Sequence, residues 1–296
     1  MLATLVREPL DRQGWVYEEK YDGYRVLAYK EGRTVRLFSR NAIDRTARFS
    51  GVAAAVQALR PATLLLDGEV VVFDRARVSR FQLLQRAATG SVFIVFDCLF
   101  MNGKDLRREP LSVRRAAMER AISGAPGLMP SKRLAASGVE AYKIARRKGL
   151  EGIIAKDLSS PYIESRSNYW LKVKIHQQDE FIIGGFTKPA GQRKHFGALL
   201  LGAYSGGKLH YAGKVGTGFD ETTLAAVYAK LRPLVRSESP FVDLPRAKNV
   251  SFLAPKLVAQ VSYHEITADQ KVRQAVFLGL RDDKAAKEVE LPDARE

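Results

Sequence analysis

The chain has 296 residues, 46% hydrophobic and 27% charged, which excludes a disordered polymer and supplies apolar material for about two cores. Lys plus Arg number 48 against 32 Asp plus Glu, giving a net charge of +16 and a pI near 9.9. Such an excess calls for a polyanionic partner, nucleic acid first, because the sequence offers neither a basic amphipathic helix for a membrane surface nor an apolar run long enough to span a bilayer.

In chain order, "MLATLVREPL" meets Arg7 and Glu8 too early for a secretory segment, so a cytoplasmic protein is expected. "GWVYEEKYDGYRVLAYKEGRTVRLFSRN" alternates in short bursts between Gly and Asp punctuation and reads as strands joined by tight turns. "RFSGVAAAVQAL" is helical, and "TLLLDGEVVVFD" reads as two strands around an Asp67-Gly68 turn. "VSRFQLLQRAA" and "LSVRRAAMERAI" are helical, with the strand "SVFIVFDCLF" between them. Its Cys98 is the only cysteine, which excludes a disulfide framework and a four-cysteine zinc cluster; Cys98 reads as a small buried hydrophobe. Ser137 and Glu140 have capping-box spacing ahead of a helix that Gly149 ends, and the strand "EGIIAKD" follows. Helices mixed with hairpin-connected strands give an α+β first domain.

After Ile175 the texture changes. "HQQDEF" reads as a polar bridge, followed by five short strands with glycine turns and one helix, "ETTLAAVYAKLRPLV". That pattern suits a small closed barrel such as an OB-fold, so the expected domains are 1–177 and 178–296. The tail "KAAKEVELPDARE" is charged and expected to be loose.

Several charged residues sit where strands end or turn. "EEKYDGYR" sets Lys20 before Asp22-Gly23 and Arg25, and alone it reads as a strand entering a turn. "LDGEVVVFD" places Glu69 at the mouth of a hairpin, and "EGIIAKD" places Glu151 at a helix-to-strand junction with Lys156 five residues on. In "WLKVKI", Lys172 and Lys174 share one strand face, with Trp170, Val173 and Ile175 expected on the opposite, apolar face. "FLGLRDDK" ends the last strand with Arg281 and Lys284. Each has an ordinary explanation as a solvated charge. Together, cations with spare carboxylates suit a nucleoside triphosphate and a divalent metal.

The ordered series "KYDGYR", "LFSRN", "LDGEVVVFD", "FIVFDCLF", "EGIIAKD" and "WLKVKI" resembles the motifs of covalent nucleotidyltransferases: ATP-dependent DNA ligases, RNA ligases and capping enzymes. "MLATL", "SRSNYWLKVK" and "VRQAVFLGLRDDK" are most similar to the ligase module of bacterial non-homologous end-joining DNA ligase D. The sequence departs from that pattern at Gln270, where a glycine is more usual.

The resemblance implies a nucleotidyltransferase (adenylation) domain of antiparallel sheets with flanking helices, followed by an OB-fold. It implies that Lys20 takes AMP from ATP, passes it to a 5′-phosphate at a DNA nick, and that the 3′-hydroxyl then seals the strand. It assigns Glu69 and Glu151 to a Mg2+ or Mn2+ ion, with Asp22 assisting. Lys172 and Lys174 would neutralise the α-phosphate, and their charge with that of the metal would depress the Lys20 pKa. Lys156 joins the nucleotide-binding set, Phe96 would stack on adenine, Glu18 would read the base, and Arg25 and Arg40 would reach the ribose or a nick phosphate. Arg281 and Lys284 would orient pyrophosphate, the barrel moving onto and off the site about a hinge in "HQQDEF". The implied partners are nicked or broken duplex DNA and a Ku-like end-binding protein, with no membrane and a monomeric state. Rival readings are an RNA ligase or guanylyltransferase of the same superfamily and a non-catalytic OB-fold nucleic-acid-binding protein. An NAD-dependent ligase usually carries the four-cysteine zinc module that one cysteine cannot build.

Overall fold

A computed structural model of the chain describes residues 1–86, 88–175, 177–189, 194–247 and 249–290. Two compact units divide it, Met1–His176 and Gln177–Glu296. In chain order the first contains β1 (Leu2–Leu5), β2 (Trp15–Lys20), β3 (Tyr24–Glu31), β4 (Thr34–Ser39), α1 (Ser50–Gln57), β5 (Thr63–Val71), α2 (Phe81–Arg86) and β6 (Val92–Met101). It continues with β7 (Lys104–Asp105), α3 (Leu111–Ile122), β8 (Leu128–Pro130), β9 (Arg133–Ala135), α4 (Gly138–Arg147), β10 (Gly152–Asp157) and β11 (Arg166–Lys174). Residue 87, in the segment expected to extend α2, lies outside the described residues.

One sheet runs β1-β11-β10-β2-β9 and the other β4-β3-β5-β6-β7, with β8 added to β6. Strand alternation gives each sheet one apolar face. Tyr17 of β2, Ile153 and Ala155 of β10, and Leu171 and Val173 of β11 pack with Ala141 of α4. In the second sheet, Val26, Leu66 and Val95 pack with Val52 of α1 and Met118 of α3. The α4 cap matches its sequence signal: Ser137 Oγ accepts from the Glu140 amide at 3.3 Å, and Gly149 beyond the helix takes φ 65°. Cys98 is buried in the second core.

The Asp67-Gly68 turn expected in "TLLLDGEVVVFD" is corrected. Thr63–Val71 is one continuous strand, paired with β3 from Tyr24↔Val70 to Glu31↔Thr63. Gly68 is there for contact rather than for turning: a Cβ would meet the Ile94 carbonyl at 2.4 Å and the Phe93 ring at 2.5 Å. Glu69 is therefore a mid-strand residue. Opposite it, the β5–β6 register shifts between Asp67↔Asp97 and Gly68↔Val95, leaving Phe96 as the extra residue of a bulge.

The second unit contains β12 (Gln178–Thr187), β13 (Leu199–Ser205), β14 (Lys208–Val215), α5 (Glu221–Leu231), β15 (Val235–Arg236) and β16 (Val250–Leu253). Then come β17 (Val258–Ser262), β18 (Glu265–Ile266), β19 (Val272–Arg273) and β20 (Val276–Leu280). Asp220 caps α5 by accepting from the Thr223 amide at 2.7 Å. The expected polar bridge is already strand from Gln178 onward, and residue 176 lies outside the described residues. The closed barrel is also corrected. β14, β13 and β12 pair in order, the far edge of β12 serves both β17 and β16, and β17 pairs β20. Between the two ends of this path the described residues offer the single bridge Thr217↔Val276, so the fold is an OB-like, partly open barrel. Gln270, standing for the more usual glycine, adopts φ 64° in the turn between β18 and β19. Of the tail, Ala286–Glu288 forms a short 3-10 helix, and residues 291–296 lie outside the described residues.

Candidate active site

Register places the charged residues in rows across the first sheet. Lys20 pairs with Gly152, which pairs with Lys174; Glu18 pairs with Ile154, which pairs with Lys172; Val16 pairs with Lys156, which pairs with Trp170. All stand on the face opposite the Tyr17–Ile153–Val173 core. Trp170 thus shares the face of Lys172 and Lys174 rather than opposing it, and it packs with Phe96 and Tyr162 in a separate apolar cluster. Gly152, between Lys20 and Lys174 in this row, is required by close backbone approach, since a Cβ there would lie 2.1 Å from the Val173 carbonyl.

The second sheet contributes Arg25, Asp67, Glu69 and Phe96. Arg25 sits opposite Glu69, but its fork is taken by Asp67, with Nε to Oδ1 at 3.0 Å and Nη2 to Oδ2 at 2.6 Å. Asp67 also accepts from the Tyr162 hydroxyl at 2.8 Å, and the Arg25 charge beside it holds its buried carboxyl below the usual range against the opposing effect of burial. The bulge turns Phe96 toward the first sheet, where its ring meets Trp170 edge-on at 5.7 Å. Lys156 Nζ lies 4.5 Å from the Phe96 ring centroid and 4.2 Å from that of Trp170. Burial pulls its pKa down, opposed by Glu18.

Lys20 is ion-paired with Glu151, its side chain 19% exposed. Glu151 is placed by its own carbonyl, which accepts from the Ile175 amide at 2.9 Å. Burial alone would lower the lysine pKa, but Glu151, with Asp22 and Glu69 behind it, raises it above the ordinary value. Among the chain's own groups, carboxylates rather than cations dominate around Lys20, so Lys172 and Lys174 alone do not give the depressed pKa expected there. Asp22 is held by its amide, which donates to Ser79 Oγ at 2.9 Å, and by the first amide of α2, Phe81 N, which donates to Oδ2 at 3.2 Å. The following Gly23 is required by crowding, since a Cβ would lie 2.2 Å from the Val70 carbonyl.

Glu18 is buried, at 1% exposure. Arg115 bonds its Oε1, while Ser131 Oγ and Lys156 Nζ donate to Oε2, each at 2.7 Å. Arg115 was missed by sequence reasoning, as was the adjacent Arg114, which grips Asp97 at 2.8 and 2.9 Å. The signal was present: in "LSVRRAAMERAI" the two arginines occupy the helical stripe between Leu111 and Met118, where apolar residues are due. Arg40 is exposed just beyond β4. In the second unit, Arg281 is buried and donates to Asp283 at 2.8 and 2.7 Å and to Gln260 at 3.0 Å, while Lys284 lies 3.6 Å from Glu180.

Among the described residues no group of three or more His, Cys, Asp or Glu is set to hold a metal ion. A two-carboxylate site fits nevertheless. Glu151 Oε2 is buried without a partner among the described residues, and Glu151 and Glu69 both act on Lys20. Mg2+ and its analogues commonly take one or two carboxylates, completing their shell with substrate phosphates and water.

Residues 1–174 match the ATP dependent DNA ligase domain, and residues 192–284 the ATP dependent DNA ligase C terminal region. The multifunctional non-homologous end joining protein LigD of Pseudomonas aeruginosa is 41% identical over 97% of this chain, which spans 36% of that protein's length. The protein of the same name in Mycolicibacterium smegmatis is 37% identical over 93% of the chain and 37% of its own length. A solved structure of mycobacterial DNA ligase D complexed with ATP and MES superposes with a TM-score of 0.70 at 34% identity, covering 97% of each chain. With its two matched regions in order and its lysine, carboxylates and strand lysines gathered on facing sheets, the chain belongs to the ATP-dependent DNA ligase family.

Proposed function

We propose that this chain seals 5′-phosphate/3′-hydroxyl breaks in duplex DNA at the expense of ATP, in bacterial double-strand-break repair by non-homologous end joining. The observation that carries the reading is the Lys20–Glu151 pair on a strand face shared with Lys172 and Lys174. An amine there has phosphate-neutralising cations within its own sheet and acidic groups at its tip.

Lys20 Nζ attacks the α-phosphorus of ATP, the bond to the β-phosphate oxygen breaks, and pyrophosphate leaves. The resulting phosphoramidate loses AMP to a 5′-phosphate oxygen of the nick, Lys20 leaving as amine. The 3′-hydroxyl then attacks the 5′-phosphorus and releases AMP. Before the first step Lys20 must shed the proton that Glu151 stabilises. Lys172 and Lys174 favour the neutral amine once the Glu151 charge is engaged elsewhere, and they offset charge developing on the α-phosphate. Glu69 and Glu151, with Asp22 assisting, would hold a divalent ion, Mg2+ or Mn2+, which when bound supplies further charge neutralisation at the phosphates.

Phe96 stacks on adenine, Glu18 reads its edge, Lys156 braces both, and Arg25 and Arg40 contact the ribose or a nick phosphate. Arg281 and Lys284 orient pyrophosphate, for which the Arg281 fork must give up its bonds to Asp283. No helix among the described residues is long and apolar enough to cross a membrane. The proposed setting is the bacterial cytoplasm at the nucleoid, with a monomeric enzyme brought to DNA ends by a Ku-like partner. The test is incubation with α-labelled ATP or GTP plus Mg2+ or Mn2+, then denaturing electrophoresis and a nick-sealing assay. Label retained from ATP, with sealing, is expected. Label from GTP alone points to capping chemistry, and no label overturns the enzymatic reading.

A further inference from the structure

We infer that Arg115 and Ser131 are positioning residues for recognition of the nucleotide base: they fix the Glu18 carboxylate in place on the Lys20 strand as an acceptor-only group. The inference rests on the proposed role of Glu18 and extends it to residues outside the motif series. Arg115 is 3% exposed and all three of its guanidinium nitrogens are engaged. It bonds Glu18 Oε1, donates to Ser131 Oγ at 3.1 Å and the Ser131 carbonyl at 2.7 Å, and reaches Glu119 at 2.9 Å. Ser131 Oγ in turn donates to Glu18 Oε2. Three donors thus converge on one carboxylate whose Oε1 accepts from Arg115 alone among the described residues. Such a group can accept from an amino group at purine position 6 and has no hydrogen to offer a carbonyl there.

Tying α3 to the sheets does not require this arrangement. Arg114 already does so, bonding Asp97 with two nitrogens and the Glu109 and Ser160 carbonyls at 2.7 and 2.8 Å. A buried ion pair is a weak source of stability beside an apolar replacement. Its value at Glu18, two residues before the nucleophile, lies in orientation, since a reacting group displaced by even an ångström loses much of its effect.

The test compares kcat/KM for lysyl-nucleotide formation with ATP and with purine riboside triphosphate, which lacks the 6-amino group. The proteins are wild type, Glu18→Ala, Arg115→Met, Ser131→Ala and the double variant Glu18→Ala/Ser131→Ala, each with its unfolding midpoint. Glu18→Ala should bring the ATP preference to about one. Arg115→Met and Ser131→Ala should each cut it about tenfold, within the coupling range of residues in one network. Adding Ser131→Ala to Glu18→Ala should change it no further. An unaltered preference in Glu18→Ala removes the base-reading role and the inference with it. Loss of preference in Glu18→Ala, with retention in both Arg115→Met and Ser131→Ala, overturns the inference alone, whatever the midpoints do. Should Arg115→Met fail to fold, Ser131→Ala decides.

Discussion

Glu19 lies on the opposite side of β2 from the chemistry, and its replacement by glutamine offers a quantitative check on the fold around the nucleophile. The side chain is buried, at 8% exposure, and its Oε1 has no partner among the described residues. Burial pushes its pKa up to about 7, against the pull of Lys132, Lys148 and the Tyr21 hydroxyl. In the unfolded chain a glutamate titrates near 4.3. Between these values the folded protein keeps a proton that the unfolded chain releases, so stability falls as pH rises from about 4.3 to about 7 and stays lower above that. The shift from 4.5 to about 7 corresponds to about 3 kcal/mol. Glutamine cannot ionise, so Glu19→Gln should match the wild type near pH 4.5 and exceed it by up to that amount at pH 8. For a unit of this size, that is roughly 6–12 °C in unfolding midpoint. Thermal unfolding of both proteins at half-unit pH steps isolates the term, because other titrations cancel in the difference. A difference that does not change between pH 5 and pH 8 would refute the buried-carboxyl reasoning.

Glu151→Ala and Glu69→Ala should each raise the Mg2+ or Mn2+ needed for half-maximal lysyl-AMP formation by roughly tenfold or more, since one carboxylate cannot hold the ion as two do; unchanged metal titrations would remove these residues from the site. Arg281→Ala leaves Asp283 buried without its bidentate partner and should cost about 3 kcal/mol, read as a lower unfolding midpoint. It should also slow the reaction with ATP more than sealing of a pre-adenylated nick, and equal losses on both substrates would confine Arg281 to a structural role. Gln270→Gly should stabilise the protein by about 1 kcal/mol by relieving the left-handed backbone at that turn, measured by denaturant unfolding; a loss would show that the glutamine side chain outweighs the strain.

Local signals in the sequence served well where one residue type has one conformational meaning. Ser137 and Glu140 marked the start of α4 and Gly149 its end, and alternation placed β2 and β3 on either side of Asp22-Gly23. Asp67-Gly68 misled because the same dipeptide that makes a hairpin turn also serves a strand in which a glycine must pass close to a neighbouring carbonyl. The Phe96 bulge exists only in the pairing of two strands, so no single stretch encodes it. Trp170 was assigned to the wrong face because its apolar character outweighed its spacing from Lys172, although in this sheet both faces are covered. Of the site, the motif residues were legible, but their resting partners were not. The Lys20–Glu151 pair joins residues 131 apart, and Arg115 meets Glu18 from a helix 97 residues on. These contacts are made by the packing of two sheets and a helix, which local pattern does not specify.

If Lys20 is the nucleophile, its Nζ must carry the AMP, and mapping the adenylate to its residue shows whether it does. The protein is incubated with ATP and Mg2+ without DNA, digested under conditions that preserve phosphoramidates, and its peptides are weighed by mass spectrometry. One AMP should be found on Lys20 in the peptide containing "EEKYDGYR", with none anywhere in Lys20→Ala. AMP on Lys172, Lys174 or Lys156 instead, or undiminished adenylation of Lys20→Ala, would place the nucleophile elsewhere.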